Sequence, residues 1–237
     1  RLLPRSQGKN DWSEAGPLPA REKVAKGERL LDVVAIRKQF GGLTAVHDIS
    51  FSVKGGEIVG LIGPNGAGKS TTFNLISGVL PLTSGQVLVT GDRVDGRPSR
   101  EIAARGLSRT FQHVKLVPDM TVLENVAIGC YLRTSSGIAS SILRTDRAEE
   151  KRALREAQKQ IERIGLGASM YDLAGNLSLG AQRLVEIARA LASDPTLLLL
   201  DEPAAGLRHG EKQAHAGVLS QLRGEGVGLL LVEDDRE

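Results

Sequence analysis

The 237-residue chain has a single cysteine, Cys130, so no disulfide can close within it, and a reducing compartment fits. Apolar neighbours around that thiol predict a buried, structural role. Long apolar runs are also missing. Leu197 to Leu200 and Val227 to Val232 are the longest, whereas a membrane-spanning helix needs roughly 18 to 20 residues. The chain by itself is therefore not expected to cross a bilayer. Nor is charge of one sign concentrated: 31 Lys and Arg stand against 28 Asp and Glu, and the two signs mix in stretches such as 144–152. Proteins that grip a nucleic-acid backbone cluster their basic residues, so a solvated helix face is expected here and no nucleic-acid partner. No charged-then-apolar signal segment opens the chain, which begins at Arg1 and stops after Asp234-Asp-Arg-Glu237. Those ends read as a piece of something longer, with the C-terminus truncated.

What is present is an ordinary globular composition, 41% hydrophobic and 25% charged, enough for a sizeable core. Residues 1–28 hold Pro4, Pro17 and Pro19 among Gly, Ser and charges, with little to bury, and read as a tail or linker ahead of a domain over 29–237. Strands are expected at 30–36 and 49–53, joined through Gly41-Gly42, and again at 57–62, which leads through a glycine loop into a helix over 69–77 closed by Gly78. The middle, about 113–177, has helical character. Thr121 and Glu124 have capping-box spacing, and Ala148, Ala153, Leu154, Ala157, Ile161 and Ile164 are spaced as one buried stripe. A helix over 179–192, a strand at 197–200, a helix over 210–223 and a strand at 227–232 follow. Apolar strands alternating with helices imply a mostly parallel sheet covered on both faces, an α/β core carrying a helical insert.

Gly63-Pro64-Asn65-Gly66-Ala67-Gly68-Lys69-Ser70 fits G-x-x-x-x-G-K-[ST] and lies between a predicted strand and a predicted helix, the context that the motif requires. The glycines let backbone N–H groups converge on one phosphate, and the helix adds its positive end. Lys69 supplies a charge for the β- and γ-phosphates, and the Ser70 hydroxyl can ligate Mg²⁺. Further on, Leu197-Leu-Leu-Leu-Asp201-Glu202-Pro203 is a buried strand ending in two carboxylates, where parallel-sheet proteins put their sites. Asp201 is suited to hold magnesium, through water, and Glu202 to act as the general base for an attacking water. Both could instead simply end a strand in solvent.

From Leu30 to Glu233 these residues resemble the ABC ATPases, the P-loop NTPases of ABC type, which have a parallel core, an antiparallel β subdomain and an inserted helical subdomain. The distinguishing stretch is Leu177-Ser178-Leu179-Gly180-Ala181-Gln182 with Arg183 and Glu186-Ile-Ala-Arg-Ala-Leu191. Ser178 as an N-cap and Gly180 beside it make a second anion site at a helix start. The resemblance implies a head-to-tail pair in which this helix end reaches the γ-phosphate held by the other cassette's glycine loop, so one chain carries half of each site. It also implies that Phe40 stacks on adenine, that Thr71 joins the glycine loop in holding nucleotide, and that Gln112 touches Mg²⁺ and the attacking water while linking the core to the helical insert. Phe40-Gly-Gly-Leu-Thr-Ala-Val46, Thr110-Phe-Gln-His-Val-Lys-Leu116, Met120-Thr-Val-Leu-Glu-Asn125 and Asp201-Glu-Pro-Ala-Ala-Gly-Leu207 are similar to the cassettes of branched-chain amino acid importers. ATP and Mg²⁺ as cofactors, a permease subunit or fused permease domain as partner, and a peripheral place on the cytoplasmic face of the inner membrane are what that likeness implies.

Three positions depart from the family pattern. Asp234 stands where the family has its switch histidine, Ala181 where the signature has a polar residue, and Arg208 where a dimer-contacting loop has Asp. A carboxylate 4 to 5 Å from a γ-phosphate would cost roughly 3 to 4 kcal/mol per charge pair at an effective dielectric near 20, so slow hydrolysis is expected if Asp234 points there. Three other readings stay open. One is a module that uses ATP to dimerise and hydrolyses it weakly or not at all; another is an ABC exporter cassette for another substrate; the third is an ABC ATPase that works on DNA or ribosomes, against which the short stretch between Gln112 and Ser178 argues.

Overall fold

Four leucines in a row are all buried in β7 (Leu197–Asp201), because the strand lies inside a sheet with an apolar core on each side. Side chains alternate along a strand. Leu197 and Leu199 accordingly join one core with Phe73, Ile76 and Leu230, while Leu198 and Leu200 join the other with Leu184, Ile187 and Leu229. The computed structural model describes residue 12, residues 14–134 and residues 147–234.

The parallel sheet is ordered β3-β8-β7-β6, with β3 at Ile58–Gly63, β6 at Leu107–Arg109 and β8 at Gly228–Asp234. A second sheet, ordered β2-β1-β4-β5, is antiparallel and contains β1 (Arg29–Phe40), β2 (Leu43–Lys54), β4 (Ser84–Val89) and β5 (Asp92–Arg93). Between the sheets runs α1 (Lys69–Ile76), whose Phe73, Leu75 and Ile76 are buried in the core that both sheets share. Its expected end holds: Ser77 is the C-cap and Gly78 follows at a φ of +70°. Strands β4 to β6 and the helix α2 (Ser99–Ala104) had no clear sequence signal, being short and set among turns.

The helical part contains α3 (Val122–Ala127), a 3₁₀ turn at Ile128–Arg133, α4 (Arg147–Arg163) and α5 (Leu179–Leu191). The capping box forms: the Glu124 amide donates to Thr121 Oγ1 at 3.2 Å, and the Thr121 amide donates to Glu124 Oε2 at 2.8 Å. On α4 Leu154, Ala157 and Ile161, and just past its end Ile164, are buried as expected, and Ala153 packs against them partly covered. Ala148, in the first turn, is exposed; an alanine buries so little area that its place in a stripe carries little weight. The insert expected over 113–177 also includes 135–146, which lie outside the described residues. Cys130 is buried, as its neighbours foretold, and burial, then the nearby Glu156 charge, pushes its thiol up to about 12.

The stretch ahead of β1 was expected to bury little, yet it lies across the domain. Leu18 is 3% exposed and sits in the core with Cys130 and Leu191. The Arg21 amide donates to Asp194 Oδ2 at 2.6 Å, the Arg133 guanidinium donates to the Pro19 carbonyl at 3.1 Å, and the Trp12 indole donates to Gln158 Oε1 at 3.2 Å. Leu18, with Trp12 and Val24 packed partly against the two cores and backbone groups satisfied between them, docks a segment that has no periodicity. Residues 1–11 and 13 of the expected tail lie outside the described residues.

Candidate functional site

The carboxyl edge of the parallel sheet collects most of the expected site residues. Strand β8 lies between β3 and β7, with Gly63 in register with Asp234 and Asp201 in register with Val232. Two strand spacings, about 10 Å, therefore separate the start of the glycine loop from the acidic end of β7. Asp234 closes β8 at that edge, and its side chain lies outside the described residues.

Gly63 to Ser70 forms the turn between β3 and α1. Gly68 is the N-cap of α1 at a φ of +85°, and a Cβ there would stand 2.4 Å from the Ala45 carbonyl of β2. No other residue satisfies both the left-handed backbone and that approach. The Lys69 ammonium turns inward and donates to the carbonyls of Gly63 and Pro64, the latter at 3.1 Å. Asn65, Gly66 and Ala67 are exposed around it, and Ser70 is exposed at the helix start with Thr71 beside it. Phe40 ends β1, 46% exposed, with the Lys38 ammonium 5.0 Å from its ring centroid. It belongs to the same hairpin that brings Ala45 against the glycine loop.

The two acids have different surroundings. Asp201 is 5% exposed and accepts a hydrogen bond at Oδ2 from Arg109 Nη2 at 3.0 Å. Glu202 is half-buried, with a φ of +47°. Its carboxylate accepts from Gln112 Nε2 at 2.9 Å, its amide donates to the Val232 carbonyl at 2.9 Å, and its own carbonyl accepts from Arg183 Nη1 at 2.7 Å. A non-glycine residue in this region costs on the order of 1 to 3 kcal/mol and persists only where its surroundings hold it.

Ser178 is the N-cap of α5, and its hydroxyl accepts from the Ala181 amide at 3.3 Å. Arg208, which has no side-chain acceptor, precedes α6 (His209–Gly224). Glu211 compensates by accepting from the Arg208 amide at 3.1 Å, and it also takes the Ser178 hydroxyl at 2.9 Å. The Arg208 amide, then the Ser178 hydroxyl, hold its carboxyl below the usual range. A Cβ at Gly180 would lie 2.6 Å from that carboxylate, so glycine is what lets α6 come so close to the start of α5. Buried His215 of α6 faces the Gly180 carbonyl through Nε2 at 3.0 Å. Glu186 accepts from the Lys115 amide at 2.8 Å and Arg189 donates to the Lys115 carbonyl at 2.7 Å, which fastens the segment after Gln112 to α5. Burial is the main cause that raises the Glu186 carboxyl.

Arg109, Arg183, Glu211 and His215 were not singled out from sequence. Arg183 stands inside the signature stretch and Arg109 immediately before Thr110-Phe-Gln, and an arginine among apolar strand and helix residues is the signal that could have drawn attention to them. Glu211 has a local place as the third residue of α6, but its bond to Ser178 and the bond of His215 to Gly180 carry no local signal, since those partners are 33 and 35 residues away.

A family model described as "ABC transporter" matches residues 46–205. The chain is 41% identical over 209 residues to the high-affinity branched-chain amino acid transport ATP-binding protein LivG of Escherichia coli K12, which covers 87% of this chain and 82% of LivG. It is 36% identical over the same length to BraF of Pseudomonas aeruginosa, which bears the same description. Among solved structures, the ADP conformation of an ATP-binding cassette of an ABC transporter superposes with a TM-score of 0.77 at 32% identity, covering 88% of this chain and 82% of that one. A family model over most of the chain, relatives spanning four-fifths of their own length and a cassette fold at the same coverage agree: the chain belongs to the ABC transporter family, as one of its ATP-binding cassettes.

Proposed function

We propose that this chain hydrolyses ATP to drive import of branched-chain amino acids, bound at the cytoplasmic face of the inner membrane to a permease and paired with a second cassette. The observation that carries the ATPase reading is the sheet edge itself, where the glycine loop and the Asp201-Glu202 pair lie two strands apart and Gln112 is already on the Glu202 carboxylate. The substrate reading rests on likeness to LivG and BraF. Among the described residues no helix is long and apolar enough to cross a membrane, so passage of solute needs a partner.

The residues act in a definite order. The loop from Gly63 to Ser70, with Thr71, receives the triphosphate while Phe40 covers the base, and Lys69 exchanges the Gly63 and Pro64 carbonyls for phosphate oxygens. Among the described residues no three acidic, His or Cys groups gather to hold an ion, and Asp201 and the Ser70 hydroxyl with phosphate oxygens are a donor set that suits Mg²⁺. When bound, Mg²⁺ neutralises charge developing on the phosphates. Glu202 accepts the proton of the attacking water, and its bond to Gln112 orients the carboxylate for that step. Ser178 and Gly180 serve the γ-phosphate of the second cassette; for that, the Ser178 hydroxyl has to leave Glu211.

A module that dimerises on ATP and hydrolyses it slowly is the second reading, favoured by Asp234, Ala181 and Arg208. Steady-state phosphate release separates the two. For the first reading, Lys69→Ala should abolish nucleotide binding, and Glu202→Gln should trap an ATP-bound dimer; full turnover in Glu202→Gln would remove Glu202 from its role. Disruption of the gene in its host should lower uptake of labelled leucine, isoleucine and valine but not of ribose, and the opposite pattern would overturn the substrate class.

A further inference from the structure

We propose that Arg109 is a positioning residue for the metal half of the site, and that its charge tunes how strongly Mg²⁺ contributes to ATP binding. This inference rests on the ATP and Mg²⁺ reading above and deepens it.

Arg109 ends β6 three residues before Gln112, and its side chain is only 10% exposed. Nη2 donates to Asp201 Oδ2 at 3.0 Å, while Nη1 donates to Asn74 Oδ1 at 2.7 Å and Ser77 Oγ at 3.1 Å. The guanidinium lies over the rings of Phe73 and Phe111, 5.4 and 5.3 Å from their centroids. One planar group thus joins three elements. Asn74 and Ser77 belong to the end of α1, Asp201 to the end of β7, and Phe111 to the segment that leads into Gln112.

Asn74 stands one helical turn after Ser70, so the fork of Arg109 fixes the distance between the helix that offers the hydroxyl and the strand that offers the carboxylate. Those are the two groups assigned to the ion. A buried ion pair adds little net stability over an apolar pair of the same shape, because both charges lose water. Its specific effect is electrical. Before metal binds, the guanidinium compensates the buried Asp201 charge, and afterwards it is a like charge facing the incoming dication across one carboxylate.

The test measures ATP affinity of the full chain by displacement of a fluorescent ATP analogue, once in EDTA and once in saturating Mg²⁺. The ratio of the two constants reports the contribution of the metal alone. Arg109→Met should enlarge that ratio, on the order of tenfold, because Asp201 regains its full charge toward the ion. Arg109→Lys keeps the charge and should leave the ratio near that of the wild type while lowering the melting temperature, since one ammonium cannot replace the fork. A purely structural clamp would shift both constants together and leave the ratio of Arg109→Met unchanged, which would overturn the proposal. Should Arg109→Met fail to fold in EDTA, Mg²⁺ with ATP is expected to restore folding where ATP in EDTA does not; failure of that rescue would overturn it equally. A wild-type chain that binds ATP in neither buffer would overturn the nucleotide reading and this inference with it, whereas normal wild-type binding with an unchanged ratio in Arg109→Met removes this inference alone.

Discussion

Arg183, in the second turn of α5, donates to the backbone carbonyl of Glu202 at 2.7 Å, and that carbonyl belongs to a residue held at a φ of +47°. The signature helix therefore grips the main chain of the residue assigned as general base. Motion of α5 against the sheet would be felt at the Glu202 backbone through this side chain.

Removing that grip should cost turnover more than binding. Arg183→Ala leaves the glycine loop intact, so the ATP dissociation constant is expected to stay near that of the wild type. The turnover number should fall on the order of tenfold to a hundredfold as Glu202 loses its fixed orientation. Measured kcat and KM for phosphate release check it, and an unchanged kcat would show that the strand end holds Glu202 without help.

Asp234 closes β8 in register with Gly63, at the position where the sequence resemblance leads one to expect a histidine. Asp234→His is expected to raise phosphate release by the protein, by removing a carboxylate from the sheet edge that receives the γ-phosphate. An ordinary rate in the wild type, unchanged by the substitution, would show that Asp234 does not face the phosphate.

His215 provides a pH-dependent term. Its Nε2 faces a carbonyl, so this nitrogen carries the proton in the neutral ring and Nδ1, buried without a hydrogen-bond partner among the described residues, is bare. Burial is the main cause that lowers this histidine below its ordinary 6.5, and the Arg183 charge adds to it, against the Gly180 bond and the Glu211 charge. The unfolded chain then takes up the proton first, so stability is lost as pH falls from about 6.5 toward the lowered folded value, with a slope of at most about 1.4 kcal/mol per pH unit from this one group. His215→Gln can keep a donor to Gly180 without titrating, and its urea midpoint between pH 7 and 5 should vary less than that of the wild type. Equal pH dependence in both proteins would rule out His215 as the source.

Leu18 fills the core from the segment ahead of β1. Leu18→Ala should lower stability by about 2 to 4 kcal/mol, as for other buried leucines. Urea denaturation checks this, and a change under about 0.5 kcal/mol, the usual effect of a surface substitution, would mean that the segment is not docked in solution.

Much of this molecule could be read from residue order. The glycine loop, the four leucines before Asp201, the capping box at Thr121 and the apolar strands and helices are local patterns, because the physics that they obey operates over a few residues: period two or 3.6, a left-handed glycine, an amide without a partner. Period determined the parallel core and the helical character of the middle, and the glycine motif between β3 and α1 told where phosphate chemistry is expected. The tertiary structure alone decided which face of β7 meets which core, that Leu18 is a core residue, and that Arg109 and Arg183 grip the two acids. It also decided that Glu211 and His215 meet the signature helix. Those relations join residues tens of positions apart, and a charged side chain has the same local signature in solvent as inside the fold. Only the packing of α1, α5 and α6 around the sheet edge determines which charges are desolvated, and desolvation is what turns an arginine into a clamp and a histidine into a pH-sensitive group.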